Sequence, residues 1–528
     1  MLDRRRLAAV ALQSFASGLP LGLVWIAIPT WMAQVGVDIK VVGLFTLAQA
    51  PWSFKFLWSP LMDRYPPPFM GRKRGWIFLA QVALLALTLA LAGVSDHPQA
   101  VWVIGALTLA LGLAAATQDI AIDAYAVEVL RKEEQGAAVG ARTAMYRAAM
   151  FVSEGLAITL ASDFDLVLGG LRLGHWDGSW QRVNLLLAAC WLPLLLVTAR
   201  SPEPEGVPEP PQTLRQAFWE PFVGFLAQHR ALEILAFVVL YKLGDNLTQA
   251  LTGPFLVQMG FDARDVGVGR SGMAIAATLA GTFIGGLLTN TLGLGRALWV
   301  GGLFQIVSNL GYAVVAQVGP NRPIMYAAVA FELGSWGLGS GAFGVLLLRL
   351  TQKRFSATQF ALLSSLFAIP RVLAGPPAGL LADVLGWRDF FVFTVFSGVP
   401  GLVMLSRFVP WSVRDPEFHV TAPPRGGPLS RAEVSWRSAL GGIVACLVGL
   451  ITTATLGAIR SYRAEGVFPL AQEMGLVLPP RTLAGWTTLV AILLMGLVVA
   501  LMTAATLVGR RGLRPAAPRA GIRGAPEA

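Results

Sequence analysis

The chain is built from long apolar blocks, most of them about 20 residues or more, set apart by short polar stretches. A block of that length crosses the hydrocarbon core of a bilayer as a helix. Inside lipid the backbone can satisfy its own hydrogen bonds only in helices or in a closed barrel. Fourteen such segments can be marked, from 8–35 and 40–63 at the start to 438–459 and 483–508 at the end. Composition points the same way: 55% of residues are hydrophobic, 13% are charged and the mean hydropathy is +0.62. A soluble domain carries about twice that share of charge. A soluble enzyme, a disordered chain and a secreted disulfide scaffold are excluded. Cys190 and Cys446 both sit in apolar blocks and indicate neither a disulfide framework nor a metal site.

A net charge of +11 would indicate nucleic acid in a soluble chain, but here the basic residues gather between spans. Arg4 to Arg6, Arg64, Arg72 to Arg74, Arg215, Lys353 with Arg354, and Arg510 with Arg511 fall on one side, whereas the loop around Asp96 and His97 is nearly free of Lys and Arg. The bias places both termini in the cytoplasm and makes the number of spans even. The start, MLDRRR followed by an apolar run, has the outline of a secretory leader; the run continues through Trp31 without a small-residue cleavage site, so it reads as a retained first span. The proline-rich stretch SPEPEGVPEPP, 201–211, cannot pack as a span and reads as the link between two halves.

Those halves repeat. PTWMAQVGVDIKVVG at 29–43 recurs as PFLVQMGFDARDVG at 254–267, and Gln34, Gly36, Asp38, Lys40 and Gly43 match Gln258, Gly260, Asp262, Arg264 and Gly267, each 224 residues further on. The same interval carries Arg147 to Arg371 and Gly155 to Gly379. Parallel repeats with an even number of spans imply two bundles related by an axis along the membrane normal. The expected organisation of this all-α polytopic membrane protein is a six-helix bundle over 1–200, a cytoplasmic linker over 201–230 and a second six-helix bundle over 231–410. A polar connector over 411–437, an appended two-helix hairpin over 438–510 and a basic cytoplasmic tail over 511–528 follow.

Ionisable residues inside spans are costly unless paired or hydrated, and each is a functional candidate. The densest group is ATQDIAIDAYAVEVL in the fourth span, where Asp119 and Asp123 share a helix face with Gln118 beside them and Tyr125 half a turn on. Two like charges on one buried face repel, which makes the pair a candidate for taking up and releasing a proton. The alternative is a static ion pair with Lys55, Arg142 or Arg147. Arg147 and Arg371, related by the repeat, would suit an anionic cargo by two-pronged binding; equally, each could neutralise an acidic neighbour. In LYKLGDNLTQALTGPF, Lys242 and Asp245 lie three apart and can satisfy each other, while Asn246 and Gln249 suit a cavity for a polar ligand. Glu332 precedes the glycine-rich GSWGLGSGAFG, a pattern of close helix packing. Trp25, Trp31 and Trp336 are candidates for stacking on sugar rings, or for interfacial anchoring.

The loop LMDRYPPPFMGRKRGW sets Asp63 and Arg64 before Gly71, Arg72, Lys73 and Arg74, charges suited to a gate network at helix ends. That order resembles the loop motif of the major facilitator superfamily. FASGLPLGL (15–23), FKFLWSPLMDRYPPPFMGRKRGW (54–76), ATQDIAIDAYAVEVL, YKLGDN (241–246) and FSATQFALLSSL (355–366) are similar to the AmpG-type muropeptide permeases within it. The resemblance implies a major facilitator fold and import, across the bacterial inner membrane, of N-acetylglucosaminyl-1,6-anhydro-N-acetylmuramyl peptides. It further implies proton drive, a place in peptidoglycan recycling, and a flux that feeds β-lactamase induction. It carries functional roles to Gln118, Asp119 and Asp123, and to Lys242, Gly244 and Asp245. The expected partners are cargo, protons and membrane lipid, with no cofactor, nucleic acid or obligatory protein partner. A transporter for another anionic conjugate, such as acetyl-coenzyme A, is the alternative. A membrane enzyme or sensor ranks below both, because the sequence offers no metal cluster, nucleophile elbow or phosphate loop.

Overall fold

A computed structural model describes residues 3–514 apart from residue 98, 169–170, 207–208, 229, 263–273, 419–426 and 481–482. The described residues fall into two compact units, Met1–Ala217 with Leu232–Phe418, and Phe218–Ala231 with His419–Ala528. Among them, nine helices are long and apolar enough to cross a membrane. The other expected spans are helical where they are described, and most of these are broken.

In the first unit the helices are α1 (Arg4–Gln34), α2 (39–64), α3 (Arg74–Val94), α4 (Val101–Val129), α5 (132–160) and α6 (Trp180–Arg200). After the linker come α7 (Ala231–Leu240 and Leu243–Gln258), α8 (Ala274–Thr291), α9 (Leu294–Val318), α10 (Arg322–Leu350), α11 (Ser356–Leu373 and Gly375–Leu385) and α12 (Trp387–Phe408). The repeat is written into the backbone. Gly36 and Gly260 both take positive φ, 80° and 87°, at the ends of α1 and α7. Each end closes with the same bond pair, Val37 N to Met32 O and Gly36 N to Ala33 O, then Phe261 N to Leu256 O and Gly260 N to Val257 O. A helix end that turns left-handed this way favours glycine. Of the other matched positions, Arg264 and Gly267 lie outside the described residues.

Each half has its own apolar centre. In the first, Trp31 stacks on Trp180 with ring centroids 5.4 Å apart, among Leu84, Leu91 and Leu111. In the second, Phe255 packs edge-on to Phe391 at 4.7 Å, beside Tyr312, Phe390 and Trp387. The burial of Trp31 in this core corrects the expectation that it meets sugar. On α6, Trp191 is 2% exposed while Leu192 and Leu196 are each 56% exposed, so one stripe faces the bundle and the other faces lipid. Packing between apolar helices in lipid draws on internal hydrogen bonds. A buried ring supplies them: Gln13 donates to Thr198 (2.8 Å), Thr198 to Gln81 (2.7 Å) and Gln81 back to Gln13 (3.2 Å).

Several helices depart from regular geometry where the sequence demands it. Pro29 has no N–H for the Trp25 carbonyl, and the turn just before it, Leu23–Ala27, is π-helical. A second π turn, Val152–Leu156, interrupts α5 and packs beside the first, with Ser153 Oγ 2.4 Å from where a Cβ on Gly22 would sit. In α2, 3₁₀ turns at Phe45–Gln49 and Lys55–Leu57 alternate with the α-helical turns Ala50–Phe54 and Ser59–Arg64, in which Pro51 and Pro60 take the second position.

Between α5 and α6 the chain forms an antiparallel hairpin, β1 (Phe164–Leu168) and β2 (Leu171–Trp176), which the span-by-span reading did not foresee. The second unit contains helices Arg431–Glu465, Leu470–Val477 and Leu483–Arg511, and Gly509 packs against Val223 of the linker helix Leu214–Leu226. The first of these helices begins seven residues before the expected start of the hairpin, inside the polar connector. Ser430 and Glu433 form a capping box there, so charged residues extend the helix beyond its apolar stretch.

Candidate functional site

The acidic pair of α4 lies one turn apart and points into a cluster drawn from three other helices. Lys55, in the second 3₁₀ turn of α2, places Nζ 2.7 Å from Asp119 Oδ2 and 3.3 Å from Asp123 Oδ2. Ser17 of α1 donates to Asp119 Oδ1 at 2.7 Å. Arg142 of α5 bonds the other oxygen of Asp123 through Nη2 and donates from Nε to Ser14 at 3.1 Å. Two acids thus face two bases, and the charges balance. Lys55 is 5% exposed. Removing one partner of a buried ion pair costs about 3–5 kcal/mol, because the other charge stays behind. Of the three bases considered from sequence, Lys55 and Arg142 hold these acids. Arg147 instead lies half-buried within electrostatic reach of Glu154. The side chain of Arg371 lies outside the described residues.

Tyr125 and Gln118, the neighbours of the pair, do not bond to it. Tyr125 donates its hydroxyl to the Pro202 carbonyl at 2.7 Å, near the start of the linker. Two residues along a helix turn a side chain by about 200°, so Tyr125, half a turn on from Asp123 as expected, is held at the linker rather than beside the acids. Gln118 is wholly buried and its carboxamide has no hydrogen-bond partner among the described residues. Trp25 meets Trp52 edge-on, centroids 6.2 Å apart, on the same bundle.

The second bundle holds a polar group of its own, organised by the break in α7. Lys242 sits at that break, its Nζ 3.5 Å from Asp245, 3.1 Å from the Trp336 carbonyl and 4.9 Å from the centre of the Trp336 ring. Trp336, a candidate for sugar stacking or interfacial anchoring, meets a lysine with one face of its ring. With its carboxamide oriented to suit both neighbours, Gln305 donates to Asp245 and accepts from Lys242, each at 2.9 Å. Asn246 is buried on the same helix. Gln249 donates to Glu332 at 3.0 Å, and Tyr312 donates to its other oxygen at 3.4 Å. Gln249, Thr252, Tyr312, Val329, Glu332 and Leu333 line a small cavity.

A third group joins the two bundles at the end carrying the 65–73 loop. Asp63 is wholly buried. It accepts from the backbone N–H groups of Ala357 (3.2 Å) and Thr358 (2.9 Å) and from the Thr358 hydroxyl (2.7 Å). A carboxylate of one bundle thus caps the N-terminus of α11 in the other, where the helix dipole favours negative charge. Lys73 and Arg72 hold the same carboxylate at 2.5 and 3.3 Å. Arg72 also donates to the Arg354 carbonyl, and Ser356 donates to Glu128 of α4 at 2.6 Å. Arg64 stands apart from this set: its guanidinium lies 5.0 Å over the Tyr65 ring. Gly71 has φ +74°, and the Glu203 carboxylate lies 2.0 Å from where its Cβ would be. Burial keeps the Glu203 carboxyl above its ordinary range although Arg74 lies 3.0 Å away.

Lys55 and Arg142 are legible in the sequence only as partners of the acids, and Gln305, Glu128 and Thr358 are not singled out by it. A lysine amid WSFKFLWSP was the available signal for the first. Among the described residues no group of three or more His, Cys, Asp or Glu side chains is placed to hold a metal ion.

The sequence model of the Major Facilitator Superfamily matches residues 10–375. An anhydromuropeptide permease of Escherichia coli is 41% identical over 406 residues, covering 77% of this chain and 80% of that protein. Among solved structures, the proton:xylose symporter XylE aligns with a TM-score of 0.57 at 12% identity, over 78% of this chain and 97% of that one. A human organic anion transporter (TETRAN) aligns at 0.54 with 13% identity, over 76% and 99%. At such identities the structures speak for the fold, and the fold agrees with the family. The chain is a multi-pass membrane transporter of the major facilitator superfamily, and within it belongs to the AmpG-type muropeptide permeases.

Proposed function

We propose that this transporter carries anhydro-muropeptides from the periplasm to the cytoplasm across the bacterial inner membrane, driven by protons. The observation that carries the reading is the 41% identity to an anhydromuropeptide permease over 77% of the chain. The chemistry of the buried groups supports it. A large glycopeptide offers carboxylates, amides and hydroxyls, and the two bundles hold guanidinium, ammonium, carboxylate and carboxamide groups at the positions described above. A proton taken up by Asp119 or Asp123 cancels one charge of the four-membered cluster. Lys55 or Arg142 is then left to receive a carboxylate of the cargo, and loss of the proton restores the internal pair. Arg147, Arg371, Lys242, Asp245, Asn246, Gln249 and Trp25 are the further cargo contacts under this reading. Asp63, Arg72 and Gly71 hold the gate, which opens as the bundles rock. Both termini then face the cytoplasm, in keeping with the basic loops.

The test is uptake of labelled anhydromuropeptide into membrane vesicles under an imposed proton gradient, with acetyl-coenzyme A as competitor. Gradient-dependent accumulation that acetyl-coenzyme A leaves untouched is the expected result. Competition by acetyl-coenzyme A, without uptake of the muropeptide, would replace the cargo with another anionic conjugate.

A further inference from the structure

We infer that the segment following α12 supplies a second latch between the two bundles, through Asp415 and Arg349, and so belongs to the gate. Arg349 stands in the last turn of α10, and its guanidinium forks. Nη1 lies 2.7 Å from Asp415 Oδ1 in the segment after α12, while Nε donates to Gln135 Oε1 at 3.3 Å. Gln135 is buried in the first turn of α5, in the opposite bundle. One arginine therefore bridges its own bundle's tail and its neighbour's helix.

The tail is firmly seated on the second bundle. Asp415 also accepts the Leu294 N–H at 3.4 Å at the start of α9. Gly295 N–H reaches the Arg414 carbonyl at 2.9 Å, and Arg414 donates to the Thr291 carbonyl at 3.0 Å. Trp299 donates to the Val409 carbonyl at 2.8 Å. Burial works against ionisation of Asp415, but Arg349, the Leu294 N–H and Arg414 outweigh it and hold the carboxyl below its ordinary range. Asp415 thus fixes Nη1 and aims Nε at Gln135. Parting of the bundles at this end would carry Gln135 away with α5 and leave Arg349 with Asp415. The arrangement mirrors the first latch: Asp63 reaches from the first bundle to α11, and Arg349 reaches from the second bundle to α5.

This inference rests on the rocking motion proposed above, and its test reads the seam without cargo. Val139 of α5 packs across the seam, its Cγ1 2.9 Å from where a Cβ on Gly344 of α10 would lie. A Val139→Cys protein is treated with a permeant maleimide, and modification at position 139 is followed by mass spectrometry. Asp415→Asn and Gln135→Ala should each raise the rate about two- to fivefold, the scale of an ion pair half open to water. The double substitution should add nothing further, and Asp415→Glu should restore the parent rate. A rise with Asp63→Asn but none with Asp415→Asn overturns the latch, as does a double variant whose two effects multiply. A rate that Asp63→Asn also leaves unchanged overturns the rocking motion, and the latch with it.

Discussion

Replacing Asp63 by Asn isolates what the inter-bundle cap contributes to keeping the two bundles together. Asn is as good a cap as Asp on its geometry, so its amide oxygen can still accept from one N–H of α11. The negative charge at the helix N-terminus and one or two of the three bonds to Ala357 and Thr358 are lost. A buried charge at a helix end is worth up to about 2 kcal/mol, and a bond to a charged group about 1.5–3 kcal/mol. Because the replacement amide recovers part of this, the joined state should weaken by about 2 kcal/mol, roughly a 30-fold shift in the equilibrium. Lys73 loses its charged contact with position 63 but keeps Glu128 at 4.0 Å, and this weakening within the first bundle lowers stability in both states. If the parted form is about 1% populated at the start, it rises to about a fifth. Spin labels at the exposed residues Lys132 and Lys353, placed by cysteine substitution, report the distance across this end. The expected result is a second, longer distance of that weight. A single unchanged distance in the Asn variant, with the protein folded, would refute the idea that the cap holds this end shut.

Asp119→Asn and Asp123→Asn should each abolish gradient-driven accumulation of labelled anhydromuropeptide in vesicles; unchanged accumulation in both would remove the carboxylates from coupling. Lys55→Met should lower stability by about 3–5 kcal/mol by stranding the acids, and adding Asp119→Asn should recover part of it, both read from thermal unfolding in detergent. Gly71→Ala should cost about 1–2 kcal/mol, since a Cβ there strains a positive φ and displaces Glu203; an unchanged melting temperature would contradict this. The Asp165 hydrogen bond, at 2.8 Å, raises the His175 pKa above its usual 6.5, with Asp177 and Asp163 adding to the effect. The pair's support of the hairpin is complete below about 6.5 and fades as pH rises through the raised value. Asp165→Asn should lower the histidine's midpoint in an NMR titration, and equal midpoints in the two proteins would exclude the contact.

What the sequence made legible was whatever depends on one helix at a time. Apolar length revealed the spans, and the matched Gln34-x-Gly36 and Gln258-x-Gly260 ends revealed the repeat, because a left-handed helix end leaves a glycine behind. The cost of charge in lipid marked Asp119, Asp123, Lys242 and Asp245. Relations between helices were harder to read. Asp63 and Thr358 are 295 residues apart, and their bond depends on which faces meet in one state of the bundles. Tyr125 is legible as half a turn on from Asp123, but its partner, the Pro202 carbonyl 77 residues away, is not. The hairpin left a signal, two strand-like runs around Gly169 and Gly170, but the surrounding hydropathy drowned it. Arg349 carries no sequence mark beyond being a basic residue at a helix end, and only the return of the chain at Asp415 gives it a second role.

The two π turns in α1 and α5 have a mechanical consequence. A surplus residue in a turn leaves the local ladder slack, so a helix buckles there before it buckles elsewhere. Here the slack points of two adjacent rods lie side by side, with Ser14, Ser17 and Arg142 all on the near side of them. Bending of either rod therefore concentrates at this shared level, beyond the Lys55–Asp119–Asp123 knot.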